Sequence, residues 1–153
     1  MMLRQAAALA LVCGMLGGTT VALAAASDVI SARQANFKTM GKAMKASFDE
    51  LKHPAPYIEV FRASASALSG AAPKVAAAFP KGSGPESGVK TQALPAIWEK
   101  PDEFRADADK LTKAVQAYQQ AATGGNLDVT KAALMQVGGA CKGCHESFRL
   151  KDQ

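Results

Sequence analysis

Four stretches of helical periodicity, separated by breaks rich in proline and glycine, decide what this chain can fold into. In residues 28–52 the apolar side chains return mostly every three or four positions and share one helix face: Ile30, Phe37, Met40, Met44, Phe48 and Leu51. Ser27 or Asp28 can cap the start of this helix. His53 ends it, because a residue that precedes a proline is pushed out of the helical region.

A second apolar stripe covers residues 58–79 and predicts a second helix. Gly70 and Pro73 predict a kink or a break within it, since proline removes a helix hydrogen bond. Residues 80–97 hold three of the seven prolines and almost no periodicity. They therefore predict one long loop.

Two more helices are predicted in the last third of the chain. One begins near Pro101 and ends at the glycines 124–125, and the other begins after Asn126. The inner face predicted for the last helix consists of Val129, Ala133, Val137, Cys141, Cys144 and Phe148. The sequence thus predicts an all-α protein, an antiparallel up-and-down four-helix bundle.

The N-terminus has the features of a secretion signal. Arg4 supplies the positive start, an apolar run follows, and small residues allow cleavage after residue 24 or as late as 26. The apolar run is shorter than the roughly 20 residues that a membrane span needs. We therefore expect a cleaved signal peptide over 1–24 and one domain over 25–153, exported to the periplasm without membrane insertion.

The composition excludes two broad classes of protein. Hydrophobic residues make up 48% of the chain, which is too many for a disordered protein. Without Arg4, 17 lysines and arginines face 13 acids, a net charge of +4, and the positive charges are scattered singly. A nucleic-acid-binding protein would cluster them on one face, so we expect no nucleic-acid partner.

The motif that carries chemistry lies on the last predicted helix. Once Cys13 leaves with the signal peptide, the remaining cysteines are Cys141 and Cys144, and His145 follows directly. This C-x-x-C-H pattern is the attachment motif of c-type haem. Two thiols one helical turn apart can form thioethers with a porphyrin, while the adjacent imidazole reaches the iron.

Three other readings of the cysteine pair compete with haem. A disulfide between Cys141 and Cys144 would be strained within a helix. A dithiol oxidoreductase would place the pair after a strand, at a helix N-terminus. A zinc site could add His145 and His53, but three ligands would then come from one turn. Haem is favoured because the chain is all-α and exported.

The chain resembles the cytochrome c′ family of class II c-type cytochromes. The resemblance rests on the C-x-x-C-H motif near the C-terminus and on segments 32–41, 55–57, 97–98 and 125–128. It implies a four-helix bundle with one covalent haem c, anchored by Cys141 and Cys144. It also implies that His145 is the proximal ligand and the metal-binding residue.

The resemblance places Phe37 on the other side of the iron. Low-spin relatives have methionine at this position, and phenylalanine cannot ligate iron. The resemblance therefore implies a five-coordinate, high-spin haem that binds nitric oxide or carbon monoxide, transfers electrons, or does both. A six-coordinate electron carrier with Met40 or Met44 as sixth ligand is the alternative, although buried methionines are more often core residues.

The resemblance also implies further contacts to the cofactor. Arg33 and Gln34 match positions at the haem propionates, Thr91 and Gln92 a stretch near the haem edge, and Arg149 a position beside the proximal imidazole. We expect no enzymatic turnover, a periplasmic redox partner that the sequence does not identify, and a homodimer formed through the first two helices.

Overall fold

The computed structural model describes residues 18–151, with side chains from residue 23 onward. It contains five helices: α1 (Gly18–Glu50), α2 (Ile58–Ala71), α3 (Ala96–Glu99), α4 (Pro101–Gly124) and α5 (Leu127–Phe148). The four long helices pack in sequence, α1 on α2, α2 on α4 and α4 on α5. The predicted all-α four-helix bundle is confirmed.

The start of α1 differs from the prediction. The helix begins at Gly18, so that Ser27 and Asp28 lie inside it and cap nothing. Alanine-rich residues 22–26 have high helix propensity, and no proline interrupts them, so the helix continues back into the predicted signal peptide. The rest of that segment, 1–17, lies outside the described residues, and cleavage remains a prediction.

The other helix ends follow the sequence signals. Asn126 caps α5, because its side-chain oxygen accepts from the backbone N–H groups of Asp128 (3.0 Å) and Val129 (3.1 Å). Gly125 ends α4 with a φ of 79°, a left-handed conformation that favours glycine. The predicted break at Pro73 is confirmed, since α2 ends at Ala71 and short 3₁₀ turns follow.

The inner face of α5 differs from the prediction at one position. Val129 is 54% exposed, whereas Thr130, Leu134 and Val137 are fully buried. These three residues follow the i, i+4, i+7 spacing of one helix face, and Val129 lies outside it. The apolar residue next to the cap was therefore wrongly assigned to the core.

The predicted loop over 80–97 is more ordered than expected. It contains a 3₁₀ turn, Pro85–Ser87, and its last residues begin α3. The indole Nε1 of Trp98 donates to the backbone oxygens of Phe79 and Pro80, both at 3.1 Å, and so ties α3 to the start of the loop. Among the described residues, no helix is long and apolar enough to cross a membrane.

Candidate haem site

A cavity of about 930 Å³ lies between the first part of α1 and the end of α5. Its size is at the upper end of the roughly 300–1,000 Å³ typical of ligand pockets. Farther along, the two helices approach closely, since a Cβ added at Gly138 would lie 3.7 Å from the ring of Phe48. The cavity thus occupies one end of the bundle.

Aromatic rings form the inner wall of the cavity. Phe79 and Phe104 pack edge to face with ring centroids 5.0 Å apart, and Phe104 packs on Phe148 in the same way at 5.3 Å. Phe37, from α1, adds a tilted contact with Phe79 at 6.2 Å. These distances are typical of stable aromatic pairs. The wall is therefore apolar and well packed.

The C-x-x-C-H residues lie on the last two turns of α5. Cys144 and His145 line the cavity. Cys141 is half-buried, packs against the hydrophobic core and does not line the cavity, and both thiols are unpaired. The helix places the two cysteines about one turn apart because they are three residues apart.

The surroundings of these residues shift their pKa values. Burial, with smaller contributions from Asp107 and Cys141, raises the pKa of Cys144 to about 11, and burial also raises the pKa of Cys141. Burial and the charge of Arg149 lower the pKa of His145. At neutral pH the imidazole is therefore uncharged, which is the form that ligates metals.

The raised thiol pKa values disfavour the dithiol reading, because reactive cysteines depend on a lowered pKa. A zinc site is also disfavoured, because His53 lies too far from the cysteines to be its fourth ligand. His53 is exposed on the turn after α1, whereas the cavity lies at the other end of that helix, beside Arg33 and Phe37. Thirteen helical residues separate Phe37 from the end of α1 at Glu50, a rise of about 20 Å, and His53 lies beyond that end.

Arg33 is a buried cation in the cavity wall. Its side chain is almost fully enclosed, and it donates to Ser83 Oγ (2.9 Å) and to Thr91 Oγ1 (2.7 Å). The guanidinium carbon also lies 4.6 Å from the ring centroid of Phe79. Burial lowers the pKa of Arg33, an effect that Glu86 opposes. Within residues 18–151 no carboxylate forms a salt bridge with Arg33.

The outer edge of the cavity is polar and holds the loop in place. Gln34 donates its side-chain amide to the backbone oxygen of Lys90 at 3.1 Å. At the other side, Arg149 Nε donates to Gln92 Oε1 at 3.0 Å. The loop residues 90–92 are thereby joined to α1 and to the C-terminus across the cavity mouth.

The structure brings most of the predicted site residues together. Eight of the nine line this cavity: Arg33, Gln34, Phe37, Thr91, Gln92, Cys144, His145 and Arg149. Sequence reasoning missed three aromatic residues of the wall, Phe79, Phe104 and Phe148, although it had placed Phe148 on the inner face of the last helix. Ser83 was missed without any signal, because it lies in a loop that shows no periodicity.

Comparison with known proteins decides the family. The sequence profile described as cytochrome c′ matches residues 28–149, most of the chain. This chain belongs to the cytochrome c′ family. A cytochrome c′ from Pararhodospirillum photometricum is 40% identical over 118 residues, which cover 76% of this chain and 92% of the relative.

Solved cytochrome c′ structures share the fold. A cytochrome c′ with an unusual ligand-controlled dimer dissociation has a TM-score of 0.75 and 26% identity, and the match covers 82% of this chain and 97% of that one. The nitric oxide complex of a variant cytochrome c′ from Alcaligenes xylosoxidans has a TM-score of 0.74 and 26% identity, with coverages of 83% and 97%.

Membership of the cytochrome c′ family identifies the cofactor as covalently attached haem c, and the protein as one of electron transport. The residues of the cavity fit this group. Cys144 and the uncharged imidazole of His145 line the cavity, Cys141 lies about one turn before Cys144 on the same helix, and apolar rings line the interior. A buried cation is costly without an anion, and the carboxylates of a haem edge can supply that anion to Arg33.

Proposed function

We propose that this member of the cytochrome c′ family is an exported haem protein with five-coordinate, high-spin iron. It binds small uncharged diatomic molecules, nitric oxide and carbon monoxide, and exchanges electrons, without enzymatic turnover. The observation that carries the proposal is the contribution of α1 to the cavity wall, where the apolar residue is Phe37. Its ring has no atom that can ligate iron.

The methionines of α1 lie elsewhere. Met40 is 4% exposed within the hydrophobic core, and Met44 is half-buried against the same core. Neither lines the cavity. Met44 shares a helix face with Phe37 but lies seven residues, about 10 Å, farther along the axis. The six-coordinate alternative would need one of these side chains to leave the core.

The residues of the site have distinct roles in this proposal. Cys141 and Cys144 form the thioether anchors, and His145 is the iron ligand. Arg33 and Gln34 pair with the haem propionates. When bound, haem supplies an iron that exchanges one electron and offers a coordination position to a small ligand. The uncharged imidazole of His145 is ready to ligate, because burial lowers its pKa.

The cavity wall favours uncharged diatomic ligands. Phe37, Phe79, Phe104 and Phe148 make the inner part of the cavity apolar, and none of these rings has a hydrogen-bond donor that would stabilise bound dioxygen. The nitric oxide complex of the Alcaligenes xylosoxidans relative supports this ligand class. The relative with ligand-controlled dimer dissociation supports a homodimer. The charged and apolar N-terminal residues support export to the periplasm.

Two substitutions at Phe37 test the proposal. Phe37→Met places a thioether at the position from which a sixth ligand can reach the iron, and Phe37→Leu is the matched apolar control. We expect the haem-loaded Met variant to show low-spin bands and weaker carbon monoxide binding, while the Leu variant stays high-spin and binds carbon monoxide. A low-spin spectrum in the unsubstituted protein or in the Leu variant would contradict the proposal.

A further inference from the structure

The segment that follows α5 is paired with the long loop. The helix ends at Phe148, and Arg149 adopts an extended conformation in a short antiparallel bridge with Ala93. Leu94 N donates to the Phe148 oxygen at 3.0 Å, and Leu150 N donates to the Gln92 oxygen at 2.8 Å. The backbone on both sides of Arg149 is therefore held in a fixed register with the loop.

A side-chain hydrogen bond fixes the arginine further. Gln92 Oε1 accepts from Arg149 Nε at 3.0 Å. A long arginine side chain otherwise samples many rotamers, and a bond at Nε restricts the torsions that carry the guanidinium. Both residues line the cavity, so this contact lies on the wall of the haem site.

The position of the guanidinium matters because of its neighbour. Arg149 follows His145 by four residues, its backbone N–H donates to the His145 carbonyl oxygen at 3.3 Å, and both side chains line the same cavity. A positive charge near the iron ligand disfavours the oxidised haem, which has one more positive charge than the reduced form. A guanidinium held at this place therefore raises the reduction potential.

We propose that Gln92 is a positioning residue that holds the charge of Arg149 beside His145 and thereby raises the reduction potential of the haem. The inference rests on the proposed function insofar as His145 is the iron ligand. Other positive groups at the cavity mouth, Lys90 and Lys151, are exposed. Their effect is screened by salt more strongly than that of a guanidinium fixed against the cavity wall.

A double-mutant cycle on the haem-loaded protein tests this role. Reduction potentials are measured by redox titration for the unsubstituted protein, Gln92→Leu, Arg149→Gln and the double variant. We expect both single substitutions to shift the potential downward, Arg149→Gln by the larger amount. In the double variant, Gln92→Leu should add no further shift, because its effect requires the arginine. Gln120→Leu, at an exposed position of α4, is the control that should leave the potential unchanged.

Two outcomes would overturn the inference. One is an unchanged potential in Gln92→Leu. The other is an equal shift by Gln92→Leu with and without Arg149, which would show that the glutamine acts through the loop and not through the arginine. A spectrum of each variant with carbon monoxide tests the proposed function separately. Low-spin iron that does not bind carbon monoxide would refute the open coordination position, whereas the reduction potentials of the four proteins test only the electrostatic coupling of Gln92 and Arg149.

Discussion

Substitution of Thr91 tests whether its hydrogen bonds fix the long loop at the haem cavity. Its hydroxyl accepts a hydrogen bond from Arg33 Nη2 at 2.7 Å and another from Ala93 N at 3.1 Å. Thr91→Val keeps the shape of the side chain but removes the acceptor. A donor of the buried guanidinium then loses its partner, and the backbone N–H of Ala93 loses its own.

The size of the effect follows from these two bonds. A hydrogen bond from a charged donor contributes about 1.5–3 kcal/mol, and one between neutral groups contributes about 0.5–1.5 kcal/mol. Thr91 is half-buried, so water can partly replace the bond to Ala93 N. We therefore expect Thr91→Val to lower the free energy of unfolding by about 2 kcal/mol, roughly a 30-fold change in the folding equilibrium.

Denaturant unfolding of the haem-loaded protein, followed by circular dichroism, measures this change. Thr91→Ser is the matched control, since it keeps the hydroxyl and loses only a methyl group, worth less than about 1 kcal/mol. The reasoning fails if Thr91→Val unfolds at the same denaturant concentration as the unsubstituted protein. It fails equally if the Ser and Val variants lose the same stability.

Two further predictions concern the core and the loop. Burial raises the pKa of Tyr118, whose hydroxyl lies 2.8 Å from Ser47 Oγ, so the folded state loses stability as pH rises above the ordinary tyrosine value of about 10. Tyr118→Phe should cost about 1 kcal/mol at neutral pH and reduce that alkaline loss, as thermal unfolding at pH 7 and 11 can show. At Gly84 a Cβ would lie 2.9 Å from the Trp98 ring, so Gly84→Ala should cost about 1–3 kcal/mol in a denaturant titration. At Gly70, in α2, an added Cβ meets no atom within 4 Å, and Gly70→Ala should stabilise this exposed helix position by about 0.5–1 kcal/mol in the same assay. A Gly84→Ala variant more stable than Gly70→Ala would contradict both predictions.

Local signals in the sequence were enough to predict most of the bundle. Apolar spacing, the cap at Asn126 and the proline at position 73 act over a few residues, and the structure shows each where it was expected. The predicted start of α1 was wrong because the high helix propensity of the preceding alanines outweighs the cap signal at Ser27. The assignment of Val129 to the core was wrong because a single apolar residue beside a helix cap does not reveal which helix face is buried.

The cavity was predictable in part for a different reason. The C-x-x-C-H motif is a local signal, and the family resemblance selected Phe37 and Arg33. The partners of Arg33 are not local: Ser83 and Thr91 are 50 and 58 residues away in the chain. No periodicity relates a helix to the middle of a loop, so these bonds emerge only when the bundle has folded.

The central claim is an open coordination position on the iron, guarded by Phe37. The most direct measurement is the optical spectrum of the purified haem-loaded protein, oxidised and reduced, before and after addition of nitric oxide or carbon monoxide. The account predicts high-spin spectra and a clear shift of the absorption bands when either gas is added to the reduced protein. Sharp low-spin bands that do not respond to the gases would contradict it and would show that a side chain fills the sixth position.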